Sequence, residues 1–258
     1  MEKTKPSDRN NFPELFSVDA LKQKLPSLRA ELMEISTNSY IQSFIASLTD
    51  NDFLLMYSEW FFRKKTQDEI MQNGFIFEIL SQRYVKSVEQ TSEIGEFVRE
   101  SIMFLNQSQN NHKMWNAERS NPDDIGILET EDTIFVNRVY ESKMSLKAMR
   151  RSTSQRAESM ITVRFIVNAL NGSDNKIKTR AGWKVLVQSM ENIFGRCDLP
   201  IELSTDCAYC YILPADQKYI QSPYEPIEFQ TLNIPLSTSH IERLRSLTIG
   251  CFGKNFGI

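Results

Sequence analysis

Four charged residues near the middle of the chain are of the types that hold a metal ion and activate water. Asp123 and Asp124 open the apolar segment DDIGIL, and Glu141 and Lys143 close the segment TIFVNRVYESK. Both segments are rich in β-branched residues with partial alternation, and the acidic run ETED between them is typical of a turn. The pattern predicts a β-hairpin that brings the start of its first strand beside the end of its second.

The predicted hairpin has a chemical consequence for these side chains. Glu141 and Lys143 are two residues apart, so a strand projects them to the same face, and Asp123 or Asp124 then lies beside Glu141. Two adjacent carboxylates repel each other, whereas Mg²⁺ binds one or two carboxylates together with water and phosphate oxygens. A neighbouring lysine orients water or stabilises developing negative charge. We therefore expect a Mg²⁺ (or Mn²⁺) site suited to phosphodiester hydrolysis.

The same residues form a recognisable short motif. The letters PDD at residues 122–124, followed by ESK at residues 141–143, resemble the signature of the PD-(D/E)xK nuclease superfamily, which includes restriction endonucleases and archaeal Holliday-junction resolvases. Members often carry Gly-x-x-x-Glu on a helix before the hairpin, and Gly74 and Glu78 in GFIFE match that spacing. Many members also carry a polar residue, often Gln, on the helix after the lysine, where this chain has Gln155.

The resemblance implies a set of site residues. It leaves open which aspartate binds the metal: Asp124 is preferred because it directly precedes the apolar strand, and Asp123 stays a candidate because it follows Pro122. Lys143 is expected to act on the attacking water or the transition state. The implied metal ligands are Glu78, Asp123 or Asp124, and Glu141, and the implied catalytic set is Glu78, Asp124, Glu141, Lys143 and Gln155.

The segment after the hairpin is predicted to be helical to about Leu170 and is locally basic. Lys147, Arg151 and Gln155 recur every four residues, which places them on one stripe of a helix. The chain as a whole has a formal net charge of -3, so contact with an anionic partner needs such a local patch. We expect the phosphate backbone of a nucleic acid to meet Lys147, Arg150 and Arg151; the alternative is a solvated helix face.

The rest of the chain predicts a mixed α/β protein. Its 258 residues, 41% hydrophobic and 24% charged, have ordinary globular composition. Residues 1–14 are expected to be a flexible tail, residues 15–65 an N-terminal helical region and residues 66–258 the nuclease-like domain. The predicted order of helices around a hairpin and two further strands is typical of a mixed central sheet flanked by helices, which the resemblance makes restriction-endonuclease-like.

Several other classes of protein are not indicated. The sequence has no run of about 18 apolar residues, and its first residues lack the apolar core of a signal peptide, so we expect a cytoplasmic protein with no membrane partner. Cys207 and Cys210 have metal-ligand spacing, but their apolar surroundings favour free, buried thiols over a zinc site. His112 is not expected to be a ligand. No P-loop or GxGxxG motif occurs.

These features together predict a metal-dependent endonuclease that acts on nucleic acid, with DNA favoured over RNA. Restriction or other antiviral defence, recombination and repair are the expected settings. The alternative is a catalytically inactive nucleic-acid-binding or protein-interaction module on a nuclease-like fold. The N-terminal helical region, with its aromatic segment LLMYSEWFF, is the expected contact surface for a second copy of the chain or a partner protein.

Overall fold

The computed structural model describes a defined part of the chain, namely residues 23, 25–27, 29–30, 33–34, 39–52, 69–89, 91–111, 122–170, 199–220 and 229–245. Several predictions lie outside these residues. They concern the tail at 1–14, the aromatic segment at 54–62, and His112.

The chain forms two compact units, Met1–Ile79 with Thr238–Ile258, and Leu80–Ser237. In the first unit, helix α1 (Ser39–Ser47) buries apolar side chains such as Phe44 and Ile45. Helix α2 (Glu69–Val88) begins in the first unit and ends in the second. The domain limits expected from the sequence, at residues 14 and 65, do not coincide with this division and stay predictions.

The second unit is built on a mixed four-stranded sheet with the order β1–β2–β3–β4. Its strands are β1 (Asp124–Glu129), β2 (Ile134–Ser142), β3 (Ile201–Leu213) and β4 (Phe229–Asn233). β1 pairs with β2 in antiparallel orientation, which confirms the predicted hairpin, and β3 and β4 each run parallel to the preceding strand. The fold class expected from the sequence, a mixed sheet with helices, is thereby confirmed.

Three further helices belong to this unit, α3 (Glu93–Asn111), α4 (Leu146–Arg151) and α5 (Thr153–Leu170). Helix α3 packs against β1, and α5 packs against β3 and α3. The polar composition of residues 106–112, NQSQNNH, predicts a loop, and this prediction is wrong for residues 106–111, which continue α3. Packing of its apolar face stabilises α3. Once formed, the helix continues through its polar C-terminal residues, although these have weak helix propensity.

The single helix predicted after Ser145 is interrupted at Ser152. The Ser152 hydroxyl donates to the carbonyl oxygen of Met149 at 2.8 Å and lies 3.3 Å from the hydroxyl of Tyr211 on β3. A serine that bonds back to the preceding turn competes with the helical hydrogen bonds and bends the chain. The contact with Tyr211 is distant in sequence, so the helical periodicity gave no indication of this break.

The hydrophobic core lies between the sheet and helices α3 and α5. Residues 124–127 of β1 are all buried, so this strand is covered on both faces. Within the described residues, none of the helices combines the length and apolar character needed to cross a bilayer. The core includes Val98 and Ile102 of α3, Ile125 and Ile127 of β1, Val136 and Val139 of β2, Val163 and Val167 of α5, and Tyr209 and Tyr211 of β3.

Gly126 is a closely packed residue of the hairpin, at the point where the strand register shifts between Gly126 and Ile127. A β-carbon at Gly126 would lie 3.0 Å from that of Arg138 and 3.2 Å from Oε1 of Glu89. We expect Gly126→Ala to lower the free energy of unfolding by roughly 1–3 kcal/mol, because a packed site has to shift to admit the methyl group. Urea denaturation measures this change.

The matched control is Gly74→Ala in α2, where a β-carbon meets nothing within 4 Å. That substitution should stabilise the helix by up to about 1 kcal/mol, since alanine has the higher helix propensity. A Gly126→Ala protein as stable as the wild type would contradict the packing described for β1.

Candidate functional site

Asp123 lies at the start of the hairpin against the end of β2. Asp124 is paired with Tyr140 across the strands, so the preceding residue, Asp123, is level with Glu141. The Asp123 amide donates to the Tyr140 carbonyl at 2.9 Å, and the Ser142 amide donates to Oδ2 of Asp123 at 2.6 Å. The Asp123 carboxylate is therefore held against the backbone that links Glu141 to Lys143.

Glu141 and Lys143 are in direct contact. The Lys143 ammonium donates to Oε1 of Glu141, and the Tyr209 hydroxyl of β3 donates to Oε2 at 3.2 Å. Glu141 is only 3% exposed. The Lys143 amide also donates to the Ile212 carbonyl at 2.9 Å, which ties the chain beyond β2 to the neighbouring parallel strand. Hydrogen bonds with β3 therefore hold both Glu141 and Lys143 in place.

Asp124 has a different partner. Its two carboxylate oxygens accept hydrogen bonds from Nε and Nη2 of Arg99 on α3, the first at 2.9 Å, and its Oδ1 also accepts from the Ile125 amide at 2.8 Å. Both side chains of this bidentate pair are almost fully buried, Arg99 at 2% exposure and Asp124 at 3%. Paired residues share a face of the sheet and successive residues alternate, so Asp124 shares the face of Tyr140 and Glu141 projects to the other.

A cleft of about 230 Å³ opens beside the two aspartates. Gln82 of α2 lines it and donates from its amide nitrogen to the carbonyl oxygen of Asp123 at 2.9 Å. Lys86 forms ion pairs with Glu96 at 2.6 Å and with Glu100 at 2.9 Å. The cleft is lined by Gln82, Lys86, Arg99, Glu100, Met103, Asp123 and Asp124.

The electrostatics of the site keep Lys143 positively charged. Burial lowers the pKa of Lys143, but the carboxylates of Glu141 and Asp123 more than offset this effect, and the net pKa is raised above its ordinary value. Burial likewise raises the pKa of Asp124, while the Arg99 guanidinium opposes that change. Lys143 is therefore a cation at neutral pH, suited to stabilising negative charge and not to accepting a proton.

The other residues expected at the site lie on three helices. Glu78 is half-buried on α2, within the first compact unit, and its role as a metal ligand stays a prediction. Lys147, Arg150 and Arg151 are exposed on α4, whose N-terminus is capped by the Ser145 hydroxyl. Gln155 is half-buried on α5. Because the helix breaks at Ser152, the continuous stripe expected for Lys147, Arg151 and Gln155 does not form, and only the first two share a helix.

The side-chain donor atoms of the site can be compared with the coordination requirements of a divalent metal ion. Among the described residues, no group of three His, Cys, Asp or Glu side chains is arranged to hold a metal. Asp123 and Glu141 nevertheless carry hard oxygen donors, and a carboxylate has about four lone-pair positions. Mg²⁺ commonly takes one or two carboxylates and completes its shell with water and phosphate oxygens. These residues fit a Mg²⁺ ion of that kind.

Sequence reasoning missed three residues that shape the site, namely Arg99, Gln82 and Tyr209. Only Arg99 carried a signal, because it stands in the run EFVRESIMF between the apolar segments FV and IMF, where a buried cation needs an acidic partner. Tyr209 lies between Cys207, which is half-buried, and Cys210, which is buried. Burial raises the pKa of both thiols to about 11, so neither is a thiolate at neutral pH.

Comparisons of the chain with protein-family models, with curated proteins and with solved structures found no match. The chemistry of this site therefore has to be argued from its own residues.

Arg99 and Asp124 are expected to stabilise the second unit only when both are present, because removing either one leaves the other a buried charge without its bidentate partner. Arg99→Met leaves a buried carboxylate unpaired and should cost about 3–5 kcal/mol of unfolding free energy. Adding Asp124→Asn removes that charge and should restore about half of the loss or more. Urea denaturation of the single and double variants, without divalent ions, measures this coupling.

Lys86→Met is the control, because the ion pairs of Lys86 are partly exposed and should contribute less than about 1 kcal/mol. If the losses from Arg99→Met and Asp124→Asn simply add in the double variant, the two side chains are not coupled as described.

Proposed function

We propose that this protein is a metal-dependent nuclease that hydrolyses phosphodiester bonds in nucleic acid, with DNA favoured over RNA. The observation that carries the proposal is the cluster at the end of the hairpin, where the Asp123 carboxylate, the Glu141 carboxylate and the Lys143 ammonium meet. A buried acid, an adjacent acid and a fixed cation are the components that metal-assisted phosphodiester hydrolysis requires.

Asp123 and Glu141 are the proposed metal ligands in this second unit. The contacts favour Asp123 over Asp124, because Asp123 adjoins Glu141 and Lys143, whereas both oxygens of Asp124 bind Arg99. When bound, Mg²⁺ (or Mn²⁺) would polarise a phosphate oxygen and lower the pKa of a coordinated water. Gln82 positions Asp123 through the hydrogen bond to its carbonyl oxygen.

Lys143 is proposed to stabilise the negative charge that develops on the phosphate and to orient the attacking water. Its contact with Glu141 and the hydrogen bond from its amide to Ile212 hold its ammonium in place before substrate arrives. A preorganised charge of this kind needs little rearrangement during the reaction. Since the pKa of Lys143 is raised, we assign it no role as a general base.

The path of the nucleic acid is proposed to follow α4. This helix begins at Leu146, three residues after Lys143, and exposes Lys147, Arg150 and Arg151. Side chains of this type contact phosphates and set the position of the duplex without reading its sequence. Gln155 on α5 is a proposed accessory polar residue.

The order of elements supports a restriction-endonuclease-like core as the finer description of the fold. A helix precedes the hairpin, two helices follow it, and β3 returns parallel to β2 beside the site. We propose restriction or other antiviral defence, recombination or repair as the cellular setting, because these processes require cleavage of nucleic acid.

Cleavage of plasmid, single-stranded DNA and RNA in Mg²⁺ or Mn²⁺ tests the proposal. Lys143→Met should lower the cleavage rate by roughly 10²-fold or more while Mn²⁺ still binds, because a charge is lost and no ligand is removed. Glu141→Gln should weaken cleavage and Mn²⁺ binding together. Calorimetric Mn²⁺ titration beside a cleavage time course separates the two effects.

Glu131→Gln is the matched control, since Glu131 is an exposed acid in the hairpin turn and should change neither quantity. Circular dichroism of each variant shows whether it is folded. A wild-type chain that binds nucleic acid but cuts none of these substrates would replace the nuclease proposal with the inactive binding module.

The basic helix α4 generates a separate prediction about nucleic-acid affinity. Lys147→Ala with Arg151→Ala should weaken binding to duplex DNA and reduce the slope of log K against log salt by roughly two, about 0.9 for each phosphate that is no longer neutralised. Fluorescence anisotropy across a salt series measures both the affinity and the slope. Thermal stability should barely change, because both side chains are exposed.

A double variant at Lys218 and Arg243, two exposed bases outside α4, is the control for loss of two positive charges. Equal effects of the two double variants on the salt slope would show that α4 is only a solvated helix face.

A further inference from the structure

The charged groups around Asp124 form a continuous chain of alternating sign. Glu100 and Glu96 both bind Lys86, Glu96 also binds Arg99 at 2.9 Å, and Arg99 binds Asp124. The chain runs from the exposed side of α3 to the aspartates that line the cleft. Arg99 is thus held by acids at both ends of its guanidinium, and it lines the same cleft as the proposed metal ligand Asp123.

We propose that Arg99 is a built-in cation of this site, which means that its guanidinium takes the place of a second metal ion. The site then takes one divalent ion, held by Asp123 and Glu141, and Asp124 is not a ligand because Arg99 occupies the position at its carboxylate that a second ion would need. This inference rests on the proposed function for the metal itself. It extends the proposed function by naming Arg99 and Asp124 as the pair that excludes a second ion.

The contacts of Asp124 support this assignment. Both of its oxygens accept from the guanidinium and Oδ1 accepts from the Ile125 amide as well. A second ion at Asp124 would have to displace Arg99, which is 2% exposed and always protonated. The displaced guanidinium would lose a bidentate partner inside the protein, which is strongly unfavourable.

The net charge of the site also favours the binding of one divalent ion. The pair of Arg99 and Asp124 is neutral, and Asp123, Glu141 and Lys143 together carry one net negative charge. One divalent ion leaves a single positive charge to meet the phosphate. A second ion would raise that to three positive charges in a partly buried space, where repulsion between like charges is poorly screened.

Mn²⁺ titration of the full chain, followed by calorimetry and by electron paramagnetic resonance, tests the inference without measuring activity. The wild type should bind one ion. The variant Arg99→Met with Asp124→Asn, in which no buried charge is left alone, should also bind one ion, with an affinity within about threefold of the wild type, because no proposed ligand is removed. Asp123→Asn should weaken binding by about tenfold or more, because it removes a ligand.

Two results would overturn the inference while leaving a metal-dependent nuclease in place. One is a wild-type chain that binds two ions, and the other is a double variant that loses as much affinity as Asp123→Asn. A folded wild-type chain that binds no Mn²⁺ would instead end the proposed function, and the role of Arg99 as a built-in cation with it. The unfolding measurements without divalent ions would still report the coupling of Arg99 with Asp124.

Discussion

The pairing of β1 with β2 sets the direction of the three carboxylates at the end of the hairpin, those of Asp123, Asp124 and Glu141. Because Asp124 is opposite Tyr140, it shares a face with that tyrosine, and Glu141 points to the opposite face. A shift of one residue would exchange the environments of Asp123 and Asp124. The register is well specified, since five apolar residues of the two strands are buried in the core, namely Ile125, Ile127, Ile134, Val136 and Val139.

β2 is an interior strand, and its parallel neighbour β3 completes the site. Parallel strands need a crossover connection, and here the described part of that connection is helices α4 and α5. One consequence is that the Tyr209 hydroxyl reaches Glu141. Another is that α4 begins directly after Lys143, so the basic side chains proposed to bind phosphate emerge from the same corner of the unit as the proposed catalytic lysine.

The two acidic positions of the hairpin illustrate two uses of a buried carboxylate. Asp124 is neutralised by a bidentate arginine, an arrangement whose disruption is costly even when its net contribution to stability is small. Glu141 is paired with a single ammonium and a tyrosine hydroxyl, which leaves lone pairs for a further ligand. The first arrangement suits a structural or shielding role, and the second is compatible with metal binding.

Local pattern was sufficient to predict the hairpin, its turn, and the shared face of Glu141 and Lys143, because strand alternation is a short-range property. It was not sufficient to choose between Asp123 and Asp124, since both precede apolar residues. The structure shows that Asp124 pairs with Arg99, 25 residues away on another helix, and that Ser152, where the helix breaks, contacts Tyr211, 59 residues away. Such partners are determined by how helices and strands pack in three dimensions, so only the tertiary structure decided them.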